Sequence, residues 1–238
     1  MTENQAETLA LIVPVYNEAE IISEVLKEWD ATLGELGLNY RIHAYNDGST
    51  DNSLEILNVL ARDMKSLEIH ASPNCGHGPT LLKGYTQALH STWIFQTDSD
   101  GEMSAKHFNE LWANRGEYDF LLGRRSQRSQ ALSRRVVSFI SRSVIRLFYA
   151  RGVWDVNSPF RLMRVSAVSK FLLNIPSDTF APNLIISGMV NLKKCSIYET
   201  LIPHQERQTG EVSIKKFRLL MAALISFGQT ILFRIKSG

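Results

Sequence analysis

Four short apolar runs in the first half of the chain, each giving way to a polar loop, constrain the fold more than any other feature. Leu9-Ala10-Leu11-Ile12-Val13-Pro14 is too short for a helix and ends on proline, and residues 19–33 then place Ile21, Ile22, Val25, Leu26 and Trp29 at helical spacing. Residues 40–45 form a second run, closed by Asn46-Asp47-Gly48-Ser49-Thr50-Asp51, after which Leu54, Leu57 and Leu60 resume the helical period. Leu67-Glu68-Ile69-His70-Ala71 predicts a third strand, Gly76-His77-Gly78-Pro79 a loop with proline at a helix start, and residues 80–90 a helix. Trp93-Ile94-Phe95-Gln96-Thr97 predicts a fourth strand running straight into Asp98-Ser99-Asp100. Strands alternating with helices predict an α/β, Rossmann-like, mainly parallel sheet with helices on both faces and ligands beyond the carboxyl ends of its strands.

Past residue 123 the pattern changes to an arginine-laced helix at residues 133–149, an irregular stretch at 154–161, further helix from about residue 165 and an amphipathic C-terminal helix. With 238 residues, 44% of them hydrophobic, the chain can bury one substantial core, so a single domain over residues 1–238 is expected. The formal net charge of +2 says little, but its distribution says more: residues 124–151 carry eight arginines and no acid. Arg135, Arg142 and Arg146 share one helix face beside apolar Val136, Phe139, Ile140 and Val144, the pattern of an interfacial helix, the alternative being a solvated basic face. Residues 219–233 are apolar but short of the roughly 20 needed to cross a bilayer, so this segment is expected to lie on a membrane. The N-terminus lacks a basic region followed by an apolar run, which predicts a cytoplasmic chain peripheral to the inner face of the membrane. Cys75 and Cys195, and the six histidines His43, His70, His77, His90, His107 and His204, show no metal-ligand spacing and predict ordinary structural roles.

Asp98 and Asp100, at i and i+2 after an apolar strand, can converge on one point at the strand end, with Glu102 as a third oxygen ligand. That is a natural way to hold Mg²⁺ or Mn²⁺ against a departing diphosphate, although a solvated acidic turn has the same sequence. Asp47, at a strand end, is placed to meet a nucleotide, with Gly48 letting backbone approach; the competing reading is a turn whose Ser49, Thr50 or Asp51 caps the next helix. Gly76-x-Gly78 before a helix suits either a phosphate cradle or a tight turn.

Pro14-Val15-Tyr16-Asn17-Glu18, Asn46-Asp47-Gly48-Ser49-Thr50-Asp51, Asn74-x-Gly76-His77-Gly78 and Asp98-x-Asp100 follow four successive strands in that order, and the order resembles glycosyltransferase family 2. Gly123-Arg124-Arg125, Ser133-Arg134-Arg135, Asp155-Val156-Asn157-Ser158-Pro159-Phe160-Arg161 and Glu206-Arg207-Gln208-Thr209-Gly210-Glu211-Val212-Ser213 extend the resemblance to its dolichyl-phosphate mannosyltransferase-like, polyprenyl-phosphate branch. It implies a GT-A fold and inversion at the anomeric carbon. Pro14, Tyr16, Glu18 and Asp47, in motifs that also contain Asn17 and Asn46, would line the nucleoside pocket. Asp98, Asp100 and Glu102 would sit at the metal, and Arg125, Arg135 and Arg207 would face phosphates. It divides the chain into a nucleotide-sugar half at about residues 9–122, an acceptor half at about 123–212 and a membrane-associated helix at about 213–236. Asn46 stands where the family usually has the first of two aspartates, Glu102 where this branch often has glutamine, and Asn157-Ser158-Pro159-Phe160 where it has a Ser-Gly-Phe-like turn; Asn183 sits near a position where an acid is common. These departures bear on the base, the sugar and the acceptor.

The implied partners are a nucleotide-sugar donor (GDP- or UDP-sugar), a polyprenyl phosphate acceptor and a membrane surface, with room for a separate membrane-protein partner; nothing points to nucleic acid. A phosphate monoester, with a second pKa of about 6, is already largely ionised at neutral pH and needs positioning by cations more than a general base. A saccharide hydroxyl acceptor would need a base, for which Asp155 is the best candidate, although the Glu-Asp and Gln-x-x-Arg-Trp motifs of polysaccharide-forming relatives are missing. An inactive binding or scaffold relative is opposed by the intact Asp98-x-Asp100, and a nucleotidyltransferase by the lack of a glycine- and lysine-rich N-terminal loop.

Overall fold

The computed structural model describes residues 7–125, 149, 153–203 and 216–236. Arg135, Arg207, residues 133–148 of the helix expected over 133–149 and the 206–213 motif lie outside the described residues. The elements are β1 (Thr8–Val15), α1 (Ile22–Glu35), β2 (Asn39–Asp47), α2 (Ser53–Asp63), β3 (Leu67–Ser72), α3 (His77–Gln87), β4 (Trp93–Gln96), α4 (Phe108–Asn114), β5 (Phe120–Arg125), β6 (Arg161–Arg164), α5 (Val165–Leu172), α6 (Pro182–Leu192), β7 (Ile197–Ile202) and α7 (Lys216–Lys236).

The described strands form one seven-stranded sheet in the order β3-β2-β1-β4-β6-β5-β7. β1 pairs in parallel with β2 and β4, β2 with β3, and β5 with β7, while β6 runs antiparallel between β4 and β5. Reversing direction twice leaves β5 and β7 parallel to β1–β4. The sheet is buried on both sides because side chains alternate across it. Leu9, Leu11, Val13 and Val15 enter the core under α1, α2 and α4, whereas Ala10 and Ile12 enter the one under α3, α5 and α6. Trp29 of α1 packs its ring 5.2 Å from Phe95 of β4 and 5.8 Å from Phe160, and Phe95 and Phe160 meet edge-on at 4.7 Å. This aromatic contact pins the irregular segment before β6 onto the sheet.

The four expected strands are present, with ends shifted by a residue or two. α1 starts at Ile22 rather than residue 19 because the Glu18 carbonyl closes a turn on the amides of Ile21 and Ile22. α3 begins at His77, three residues before the expected start, and gives way to a 3-10 turn at Ala88–His90. β5, β6, β7 and α6 were not legible: the strands span only four to six residues, and Pro182 through Val190 of α6 are buried all round, which erases a helical stripe. α7 inverts the usual amphipathic rule over its second half, where Ser226, Thr230 and Phe233 are buried while Ile225, Leu232 and Ile235 are exposed. No helix among the described residues is long and apolar enough to cross a membrane.

α3 lies close on the sheet because Gly84 has no side chain: a Cβ there would come within 2.6 Å of Ile12 Cγ2 and 3.0 Å of the Tyr45 ring. Gly84→Ala should therefore lower the unfolding free energy by about 1–3 kcal/mol in denaturant titration. Gly116→Ala, where a Cβ meets nothing within 4 Å, should change it by less than about 0.5 kcal/mol.

Candidate active site

Because β1–β5 and β7, apart from β6, point the same way, their carboxyl ends and the loops beyond them share one sheet edge. In sheet order this edge presents residues 74–78 after β3, Asn46-Asp47 of β2, residues 14–18 of β1, Asp98-Ser99-Asp100 after β4 and Arg124-Arg125 of β5. β6 starts there, so the 155–160 segment feeding it arrives at the same place. The structure thus brings together the described residues expected at the site: Pro14, Tyr16, Asn17, Glu18, Asn46, Asp47, Gly76, Gly78, Asp98, Asp100, Glu102, Arg125 and Asp155.

On the β1–β2 side the loops hold one another. Asn17, at φ +55, donates its amide to Ser49 Oγ (3.0 Å) and accepts the Thr50 amide on Oδ1 (2.7 Å), while Glu18 donates its amide to Ser53 Oγ (2.9 Å). Asp51 accepts the amides of Ala19 (3.1 Å) and Ser53 (3.0 Å): the N-cap of α2 is Asn52, without a side-chain cap bond, and Asp51, one residue before it, ties the start of α2 to the β1 loop. Asp47 is buried and spends both oxygens on the next loop, Oδ1 on the Cys75 amide (2.7 Å) and Oδ2 on the Gly76 amide (2.9 Å). Gly48, at φ +66, lets the backbone approach as expected; what approaches is Asn74, whose nitrogen would lie 2.5 Å from an added Cβ. Gly78 instead accommodates the carbonyls of Thr179 and Phe180, each 2.2 Å from an added Cβ. Tyr16 is exposed at the edge, and Asn46 Oδ1 is buried beside Asp47 without a hydrogen-bond partner.

On the β4–β5 side, Arg125 grips Asp155 in a bidentate pair, Nε to Oδ2 at 2.8 Å and Nη2 to Oδ1 at 3.0 Å. Burial pushes the Asp155 carboxyl up, but hydrogen bonding and charge from Arg125 outweigh it and hold Asp155 below the ordinary carboxylate range. Burial disfavours the Arg125 cation, and Asp155, followed by Asp98 and Glu102, more than restores it. Arg125 thus stands between Asp155 and the acidic turn. In that turn Gln96 Nε2 lies 3.3 Å from Asp98 Oδ1, and Asp100 Oδ1 accepts the Glu102 amide at 3.0 Å.

The ligand set of Asp98, Asp100 and Glu102 is all oxygen, which suits Mg²⁺ or Mn²⁺. These three do not close into a compact cage as the spacing suggested, since the one group of three metal-ligating side chains within 4.8 Å of one another among the described residues lies elsewhere. An open turn fits an ion held by one or two carboxylates and completed by substrate phosphates.

Beneath the acidic turn lies a buried polar network that sequence reading missed. The Tyr85 hydroxyl is 2.8 Å from Gln96 Oε1 and 2.9 Å from Asn183 Oδ1, and Asn183 donates from Nδ2 to Gln96 Oε1 at 2.9 Å. Arg161 is fully buried and donates to the carbonyls of Ser158 (2.6 and 2.9 Å), Val156 and Asn183 (both 3.3 Å). Burial pulls the Arg161 pKa down, with Tyr85, Asp155 and Asp98 opposing. A polar Gln96 ending an apolar strand, Arg161 ending an irregular run and Asn183 near a position where the resemblance has an acid were the available signals; Tyr85, 98 positions from Asn183, gave none.

Asp155 has a depressed folded-state pKa, so its contribution to stability is complete above the unfolded carboxylate value of about 3.9 and is lost as pH falls through the folded value. Asp155→Asn should cost about 1.5–3 kcal/mol at neutral pH, and its deficit against wild type should shrink below about pH 4 in denaturant melts.

The family model for glycosyl transferase family 2 matches residues 10–172. The chain is 27% identical to undecaprenyl-phosphate 4-deoxy-4-formamido-L-arabinose transferase of Photorhabdus laumondii, over 92% of this chain and 67% of that protein, and 26% identical to the Pectobacterium atrosepticum enzyme of the same name, over 97% and 70%. It therefore spans about two thirds of the length of these curated relatives. Among solved structures, glucosyl-3-phosphoglycerate synthase from Mycobacterium tuberculosis superposes with a TM-score of 0.68 at 13% identity, over 95% of this chain and 80% of that one. Mannosyl-3-phosphoglycerate synthase from Rubrobacter xylanophilus gives 0.68 at 12%, over 94% and 73%. The shared architecture is the GT-A fold, and the chain belongs to glycosyltransferase family 2.

Proposed function

We propose that this glycosyltransferase moves a sugar from a nucleotide-sugar donor to a polyprenyl phosphate at a membrane surface, with inversion and with Mg²⁺ or Mn²⁺ at the acidic turn. The observation that carries the reading is the meeting of Asp98 and Arg125 at one sheet edge with Asp155 already engaged by Arg125. A carboxylate held below its ordinary range by a bidentate guanidinium is a poor proton acceptor, which disfavours a hydroxyl acceptor activated by Asp155. A phosphate acceptor arrives ionised and asks only for cations: Arg125, and from the sequence Arg135 and Arg207.

The relatives named for undecaprenyl-phosphate sugar transfer support the acceptor class, and a neighbour solved with Mn²⁺ and UDP supports the donor class. The bound ion would be held by Asp98 and Asp100, with Glu102 beside them, and would neutralise the leaving diphosphate. Tyr16, exposed at the edge, offers an aromatic ring to the base. Exposed Ile225, Leu232 and Ile235 on α7, and a cleft of about 870 Å³ bounded by Phe171, Leu232 and Phe233 and by Lys170, Lys193 and Lys236, are suited to an anionic, apolar surface.

The direct test is incubation with UDP- and GDP-sugars, Mg²⁺ or Mn²⁺ and undecaprenyl phosphate, followed by mass spectrometry of the extracted lipid. A lipid-linked sugar is expected; transfer only to a free saccharide, or to nothing, would overturn the proposal. Asp98→Ala and Asp100→Ala should each abolish transfer while leaving the circular dichroism spectrum and melting curve intact, and excess chelator should do the same to wild type. Arg135→Ala and Arg207→Ala should lower acceptor use about ten- to a hundredfold. Asp155→Asn should fall short of the loss of roughly 10² to 10⁴ that removal of a general base brings.

A further inference from the structure

Strand pairing places a second set of ligating side chains on the α3 side of the sheet, away from the acidic turn. In the β2–β3 register His43 stands opposite Glu68 and Tyr45 opposite His70, so these four side chains share one face. His43 Nδ1 lies 3.1 Å from His70 Nε2. Glu68 turns one oxygen to each imidazole, Oε2 at 3.6 Å from His43 Nδ1 and Oε1 at 3.5 Å from His70 Nε2. All the ligand atoms lie within 4.8 Å of one another.

A bare histidine–histidine hydrogen bond explains the first distance but not the carboxylate, whose contacts are longer than the 2.7–3.2 Å or so of an N–H···O bond. Ligands about 2.0–2.2 Å from a tetrahedral zinc ion stand about 3.3 Å apart, and the observed separations bracket that value. We propose that His43, Glu68 and His70 form a binding site for Zn²⁺, or another first-row ion that prefers imidazole, separate from the oxygen-rich catalytic turn.

The surroundings suit this use. The Tyr45 ring stacks on His70 at 4.3 Å and 10°, fixing the imidazole plane. The side chains grade outward from His43 at 9% exposed through His70 at 18% to Glu68 at 57%, leaving a path from solvent and room for water as a fourth ligand. Burial lowers the pKa of both histidines, with Glu68 opposing, which favours the neutral imidazole that metal ligation requires. An ion here would clip edge strand β3 to β2, the strands that end in the Asp47 and Cys75-Gly76 loops.

The test uses the tag-free, chelator-stripped protein in nucleotide-free buffer, titrated with Zn²⁺ by calorimetry and with Co²⁺ by visible absorption. We expect one equivalent of Zn²⁺, a tetrahedral Co²⁺ spectrum, a raised unfolding midpoint with zinc, and binding weakened at least about tenfold in Glu68→Gln and His70→Ala. Asp98→Asn should bind zinc like wild type. The proposal is overturned if wild type binds no zinc, if neither Glu68→Gln nor His70→Ala weakens binding, if Asp98→Asn abolishes it, or if the cobalt spectrum is octahedral.

Discussion

The common direction of β1–β5 and β7, broken among the described strands by β6 alone, is the constraint on which the site depends. Parallel strands need crossover helices, so the sheet is roofed on both faces and its polar loops are left to one edge. The reversal of β6 brings the 155–160 segment back to that edge from the other side. Without it Asp155 could not reach Arg125.

Electrostatic balance at that edge follows from the same geometry. Asp98, Asp100 and Glu102 gather negative charge after β4, while Arg125 and the buried Arg161 supply positive charge from β5 and β6. Arg161 is satisfied by carbonyls, which quench its hydrogen-bonding demand without cancelling its charge. A buried cation below and an ion-paired guanidinium beside the carboxylates make a setting in which an anionic diphosphate and its counter-ion are both accommodated. The Gln96–Tyr85–Asn183 network ties this floor to α3 and α6, so the position of Asp98 depends on packing some distance from the chemistry.

The two proposed ion sites differ in kind. The turn at Asp98 is open, all oxygen and incomplete without phosphate; the group at His43 is compact, mixed in ligand type and built from the faces of two strands. The second lies on β2 and β3, the strands that end in the loops at Asp47 and Gly76, whereas the first follows β4.

The sequence by itself determined the first four strands, the order of the motifs and the carboxylates of the acidic turn, because each is local: apolar runs of strand length, loops of glycine and aspartate, and acids two residues apart. It also placed Asp155 near the site but could not tell a free base from an ion pair, since Arg125 lies 30 positions away and meets it only through the β5–β6 pairing. Tertiary structure alone decided β5, β6, β7 and α6: burial removes the polar half of any periodic pattern in β5, β6 and α6, and β7 is a six-residue strand with no buried face of its own. It also decided the partners of Tyr85 and Asn183, and the pairing of two histidines 27 positions apart that showed no ligand spacing along the chain. Periodicity reports which face of an element is buried; only strand register and packing decide which residues meet there.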